Sequence, residues 1–156
     1  MSLTGHYLTN IWNGYIDMQK PPLYSWTLMT ISRVFSPSEF YLRLLSALSG
    51  LAIIASVYMF CLKHFSRFTA ITASLLLLAA ELFVILSLRI NTDMSYSLFI
   101  FLGFWVWIKS YTKPRMAYLS GLLFAISTLL KGLGTMQIMG ALFLTLLIQP
   151  SRTDFL

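Results

Sequence analysis

From Tyr41 onward the chain is a series of long apolar runs separated by short, mostly basic links, and this pattern restricts the possible folds most. Tyr41–Leu62, Thr69–Leu88 and Met94–Ile108 carry almost no charge, and Lys63-His64-Phe65-Ser66-Arg67 and Lys109 to Arg115 punctuate them. Runs of this length cross a hydrocarbon core about 30 Å thick as helices. A fourth stretch, Arg115–Gln149, would be about 50 Å long as one helix, so it folds back near Lys131-Gly132-Leu133-Gly134, where the glycines supply a turn. The reading is an all-α, polytopic membrane protein with about five transmembrane helices. Composition agrees: over 156 residues, 58% are hydrophobic, 10% are charged and mean hydropathy is +0.77. A water-soluble fold this short would not cover so much apolar surface.

The formal charge of +6 raises the question of nucleic acid. The basic residues sit singly or in small groups between apolar runs, a pattern of membrane-protein loops and not of a phosphate-binding stripe, so no nucleic-acid partner is expected. Cys61 is alone in an apolar run and offers neither an intramolecular disulfide nor a thiolate cluster. His6 and His64 lack metal-ligand spacing. Met1 to Asn10 contain no basic region followed by an apolar one, so no secretory signal is visible.

The chain divides into an exterior juxtamembrane segment (1–40), a five-helix transmembrane region (41–149) and a cytoplasmic tail (150–156). In the first segment Leu8, Ile11, Trp12 and Tyr15 recur at helical spacing, which predicts an amphipathic surface helix ended by Asn13-Gly14. Lys20-Pro21-Pro22 then forces an extended backbone, and residues 22–35 form a second short helix carrying Tyr24 and Trp26. Ser36-Pro37-Ser38-Glu39 reads as a capping box, which starts the next helix at about Pro37.

Sidedness follows from where the cations lie. Lys63, Arg67, Lys109, Lys113, Arg115 and Arg152 fall on one side, in plain connecting loops, as on a cytoplasmic face. Lys20, Arg33, Arg43, Arg89 and Lys131 fall on the other, at helix ends or beside prolines and glycines. The second side is therefore the expected exterior (or lumen), with the first segment on it; a multi-pass protein of a bacterial inner membrane is the expected location. Export of that segment calls for a transmembrane helix upstream of Met1.

Charge inside a span costs roughly 2.5–3.5 kcal/mol, so each case needs a reason. Glu81 lies about two turns inside the second span; it either lines a polar cavity or pairs with Ser46, Ser49 or Ser56. Arg89 and Asp93, four apart, are either a local ion pair or the mouth of a cavity facing the first segment. Lys131 is either at the mouth of such a cavity or a lysine snorkelling at the boundary. Lys20, locked in extended backbone beside two prolines, can be aimed at an anion.

In combination, Asn13-Gly14, Lys20-Pro21-Pro22-Leu23-Tyr24-Ser25-Trp26, Glu39-Phe40-Tyr41-Leu42-Arg43-Leu44, Thr92-Asp93-Met94 and Leu130-Lys131-Gly132 resemble the N-terminal part of GT-C membrane glycosyltransferases. The likeness is to the dolichyl-phosphate-mannose–protein mannosyltransferase family and to the bacterial aminoarabinose (lipid A) transferases. It covers most of this chain but only a quarter to a third of a family member. It implies transfer of a sugar from a polyprenyl-phosphate donor to a protein or lipid acceptor, within membrane lipids. It also implies a catalytic Asp-Glu pair just upstream of Gly5-His6-Tyr7, where this sequence has none. By matching motif positions, Asp93 is the acidic residue that orients acceptor or metal, and Lys20 and Lys131 are phosphate contacts. Arg43 matches the helix arginine of the family, and with Tyr24 and Arg89 it completes the candidate substrate-binding set. A divalent metal is the one candidate cofactor. Gln19 in place of an acidic residue weakens the case for a metal, and Leu133 stands where the family has proline. The rival reading is a non-enzymatic small membrane protein, an assembly partner or transporter part.

Overall fold

A computed structural model describes residues 10–12, 15–17, 21–35, 38–132, 134–136 and 140. It contains two short strands, β1 (Asn10–Trp12) and β2 (Tyr15–Asp17), then helices α1 (Leu23–Phe35), α2 (Glu39–His64), α3 (Arg67–Ala79), α4 (Glu81–Leu88), α5 (Thr92–Ser110) and α6 (Met116–Lys131).

The strands correct the surface helix expected from Leu8 to Tyr15. They pair antiparallel, with Asn10 opposite Asp17, Ile11 opposite Ile16 and Trp12 opposite Tyr15. Asn13-Gly14, the expected helix end, lies outside the described residues. An isolated helix of eight residues would lack the length to repay its nucleation, so the hairpin prevails. The second short helix is present as α1, whose first turn is anchored by Trp26 N–H donating to Pro22 O at 2.9 Å.

Helix α2 begins at Glu39, two residues later than expected. Its N-cap is Ser38, whose side chain makes no capping bond, and the Glu39 carboxylate pairs with Arg43 one turn on instead of reaching back to the backbone. Ser36 and Pro37, the other half of the expected capping box, lie outside the described residues.

The expected second span is broken. Helices α3 and α4 meet at Ala80 and are bent by 67°. No proline or glycine marks the break. Its effect on Glu81 is clear: the carboxylate sits exposed in the first turn of α4, where the helix dipole favours it, instead of mid-span. The expected pairing with serines is replaced. Ser46 bonds Asn91, and Ser49 bonds Ser95 at 2.9 Å.

The helices run alternately up and down. Gly50 lies against Ser87, which sets α2 antiparallel to the α3–α4 pair; Ser46 meets Asn91 and Phe60 meets Trp105, which sets α2 parallel to α5. Ser120 donates to the Gly103 carbonyl at 2.9 Å, and Lys131 reaches Asp93, which sets α6 antiparallel to α5. Chain reversal after α6 occurs at Gly132, whose φ of 77° suits glycine alone. Thr135 then folds back on Ser127 at 3.1 Å. Most of the expected fifth span lies outside the described residues.

Polarity is inverted relative to a water-soluble protein. The buried positions of α2 are mostly small and polar: Ser46, Ser49, Gly50 and Ser56, with Ile53. Its large apolar side chains face outward, Leu48 at 55% and Leu51 at 64% exposure. Small and hydroxylated residues are what let helices approach closely in lipid, where outward leucine costs nothing. Among the described residues only α2 is by itself long and apolar enough to cross a membrane; α3 and α4 reach that measure together, and α6 is an apolar helix of 16 residues.

Candidate functional site

The candidate site forms at the end of the helices where α5 begins and α6 ends. Asn91 caps α5: its Oδ1 accepts from the Asp93 N–H at 3.1 Å while its Nδ2 donates to Asp93 Oδ2 at 2.8 Å. Both carboxylate oxygens are then held, because Lys131 Nζ donates to Asp93 Oδ1. The placement is electrostatically consistent: Asp93 is in the first turn of α5 and Lys131 in the last turn of α6, each at the dipole end that favours its charge. Lys131 also lies 5.4 Å from the Tyr96 ring centroid, within cation–π range.

The Lys-Pro-Pro-Leu-Tyr block closes the site from the other side. A side-chain carbon added at Gly132 would sit 3.5 Å from Pro21 Cγ, so the end of α6 is seated on this block. In the first turn of α1, Tyr24 is 8% exposed. Its hydroxyl is buried beside Ser46 without completing a hydrogen bond. Burial raises the Tyr24 phenol above the ordinary tyrosine range; the Ser46 hydroxyl opposes this and the nearby Asp93 charge adds to it. A buried hydroxyl without a partner is uncommon and marks a group with spare hydrogen-bonding capacity.

Of the expected site residues, Asp93, Lys131 and Tyr24 are brought together from three distant parts of the chain. Lys20 adjoins Pro21 but lies outside the described residues. Arg43 is not in the cluster; it is exposed on α2 and held by Glu39 at 2.6 Å. Arg89 is exposed at the end of α4, and the local Arg89–Asp93 ion pair is not found, because Lys131 takes that place. The reason is geometric: Arg89 has extended backbone as the C-cap of α4, so the two residues do not share a helical face. Two contributors were missed. Asn91 was legible, since Asn two residues before Asp at a helix start is a capping signal. Ser46, whose hydroxyl touches the Asn91 backbone, carries no local signal.

The described residues do not suit a divalent metal. No three of His, Cys, Asp and Glu gather among them. The one carboxylate of the cluster is already neutralised by Lys131 and tied down by Asn91. What the cluster can offer is a cation for phosphate, a carboxylate acceptor and a buried phenol.

A family model described as dolichyl-phosphate-mannose-protein mannosyltransferase matches residues 19–156. The chain belongs to this family. Membership makes it part of a membrane-integral glycosyltransferase lineage, and the match begins one residue before Lys20 and includes Tyr24, Asp93 and Lys131. An uncharacterized protein of Aquifex aeolicus (strain VF5) is 26% identical over 156 aligned residues, covering 97% of this chain and 31% of the relative. A second uncharacterized protein of that organism is 33% identical over 75 residues, covering 48% of this chain and 18% of the relative. The chain thus spans about a third or less of the length of these relatives. No solved structure matches it.

Proposed function

We propose that this chain supplies part of the donor site of a membrane glycosyltransferase that moves a sugar from a polyprenyl-phosphate carrier to a protein or lipid acceptor. The observation carrying this reading is the Asp93–Lys131 pair seated against Pro21 and Tyr24, which joins three motifs from distant parts of the chain, Asp93 and Lys131 alone being 38 residues apart. In this reading an acceptor nucleophile attacks the anomeric carbon, the bond to the phosphate oxygen breaks, and the polyprenyl phosphate leaves. Lys131 and Lys20 stabilise the charge developing on that phosphate. Asp93 holds Lys131 until the phosphate competes for it, and the Tyr24 hydroxyl donates to a phosphate or sugar oxygen. A carboxylate acts as the base that takes the acceptor proton.

The fold supports a multi-pass arrangement. The four helical units alternate in direction, α3 and α4 acting as one bent span, and expose leucine along their outer faces. The segment before α2 then lies on the exterior side, with residues 150–156 in the cytoplasm.

The experiment is donor binding by the reconstituted chain. A radiolabelled polyprenyl-phosphate sugar is titrated into vesicles holding the native chain, Lys131→Gln or Lys20→Gln. Each loss of a phosphate contact is expected to weaken binding by tenfold or more, as for a charged hydrogen bond of about 1.5–3 kcal/mol. Equal affinity in all three would remove the site from the donor phosphate.

A further inference from the structure

The end of the molecule opposite the candidate site carries a second feature. Parallel α2 and α5 bring their C-terminal ends together, with Phe60 5.8 Å from both Phe101 and Trp105. The α2–α3 and α5–α6 turns therefore lie side by side. They present Lys63, Arg67, Lys113 and Arg115, all exposed, and none of these makes an ion pair among the described residues. A fifth cation, Lys109, lies over the Trp105 ring at 4.6 Å. The carboxylates carried by the six helices are elsewhere: Glu39 and Asp93 at the far end, Glu81 at the α3–α4 bend.

Large rings share this level. Phe65 is 65%, Phe68 76% and Tyr118 84% exposed. Bare rings beside unpaired cations suit neither bulk water nor hydrocarbon. They suit the headgroup layer, where aromatic bodies sit among acyl ends and cations meet phosphate.

We propose that these two turns form a binding surface for anionic phospholipid headgroups. Charge complementarity selects the occupant, and the exposed aromatics select a lipid over a soluble polyanion. Neighbouring positive turns focus one headgroup phosphate between them, with Lys63 and Arg67 on one flank and Lys113 and Arg115 on the other. The surface is independent of the donor site and stands or falls separately from it.

The test uses the full chain in vesicles, with tryptophan emission quenched by brominated phosphatidylglycerol or brominated phosphatidylcholine. Trp105 and Trp107 report from this end. The native chain is expected to prefer the anionic lipid by about fivefold or more, the scale of one basic residue at an anionic surface. Lys63→Gln, Arg67→Gln, Lys113→Gln and Arg115→Gln together should bring the ratio toward one. Exchange of Lys63 and Lys113 for arginine should preserve it. Should the fourfold variant fail to insert, the 63/67 and 113/115 pairs are measured separately, each losing part of the preference. Raising salt from about 0.05 M to about 0.5 M should erode the native ratio. A native ratio near one, or a ratio unchanged by the substitutions, overturns the proposal. So does an equal emission change from inorganic phosphate or a short RNA in zwitterionic vesicles, which would assign the surface to a soluble anion.

Discussion

Tyr24 is the residue where structure adds most to the sequence. Its place in the Lys-Pro-Pro-Leu-Tyr block suggested an interfacial ring, yet it is buried with its hydroxyl unpaired. Tyr24→Phe removes a polar atom that completes no hydrogen bond among the described residues, so stability should change little or rise by up to about 1 kcal/mol. Donor binding should fall at the same time. Thermal unfolding in detergent beside the donor titration separates the two, and a large loss of stability would show that the hydroxyl is bonded. The pH dependence has a definite sign. The folded phenol ionises above its unfolded value, so its contribution to stability is complete below the ordinary tyrosine range and is lost as pH rises through the folded value. Spectrophotometric titration should show one late phenol that disappears in Tyr24→Phe. Asp93→Asn leaves Lys131, which is about half exposed, to water, so its effect on stability should be about 1 kcal/mol or less. Its effect belongs to binding and transfer.

At the level of elements, close approach between helices is the vulnerable feature. A Cβ at Gly50 would lie 2.6 Å from Ser87 Oγ, and that hydroxyl is already committed to Phe83 O at 2.8 Å. A Cβ at Gly103 would lie 3.0 Å from the Phe124 ring. Gly50→Leu and Gly103→Val should each destabilise by about 1–3 kcal/mol or more through overpacking, read as a lowered melting temperature in detergent. Gly121, with nothing within 4 Å of its Cβ position, should accept alanine without loss and serves as the control. Gly132→Ala tests the turn after α6. A Cβ there would meet Pro21 only at ordinary contact distance, but φ of 77° with ψ of −139° strains any side chain, at about 1–3 kcal/mol. Loss of donor binding should accompany it, because Lys131 precedes the turn. These elements were partly legible. The helices at Glu39–His64 and Thr92–Ser110 follow from apolar length, and the reversal at Gly132 from a glycine beside a lysine. The break at Ala80 was not, because alanine is the best helix former and signals none. The β1–β2 hairpin was misread because Asn-Gly ends a helix and closes a hairpin equally well, and only strand pairing distinguishes them.

For the whole molecule, the alternation of helices makes a labelling prediction. With Cys61→Ala as background, Arg89→Cys and Lys113→Cys lie at opposite ends of the helices. An impermeant maleimide should reach the first only from the exterior and the second only from the cytoplasm. Labelling of both from one side would refute the multi-pass reading. The chain's own chemistry settled some matters before any folding was known. Long uncharged runs exclude water as the surrounding solvent, short basic links mark where helices end, and the spaced motifs point to the mannosyltransferase family, whose model matches residues 19–156. These are local or additive properties, so they survive in one dimension. Three-dimensional structure alone decided that Asp93 answers to Lys131 and not to Arg89, that Tyr24 lies beneath them, and that Glu81 stands exposed at a bend. Such pairings depend on how helices cross and where their ends meet, and contacts across 38 residues have no counterpart in local spacing.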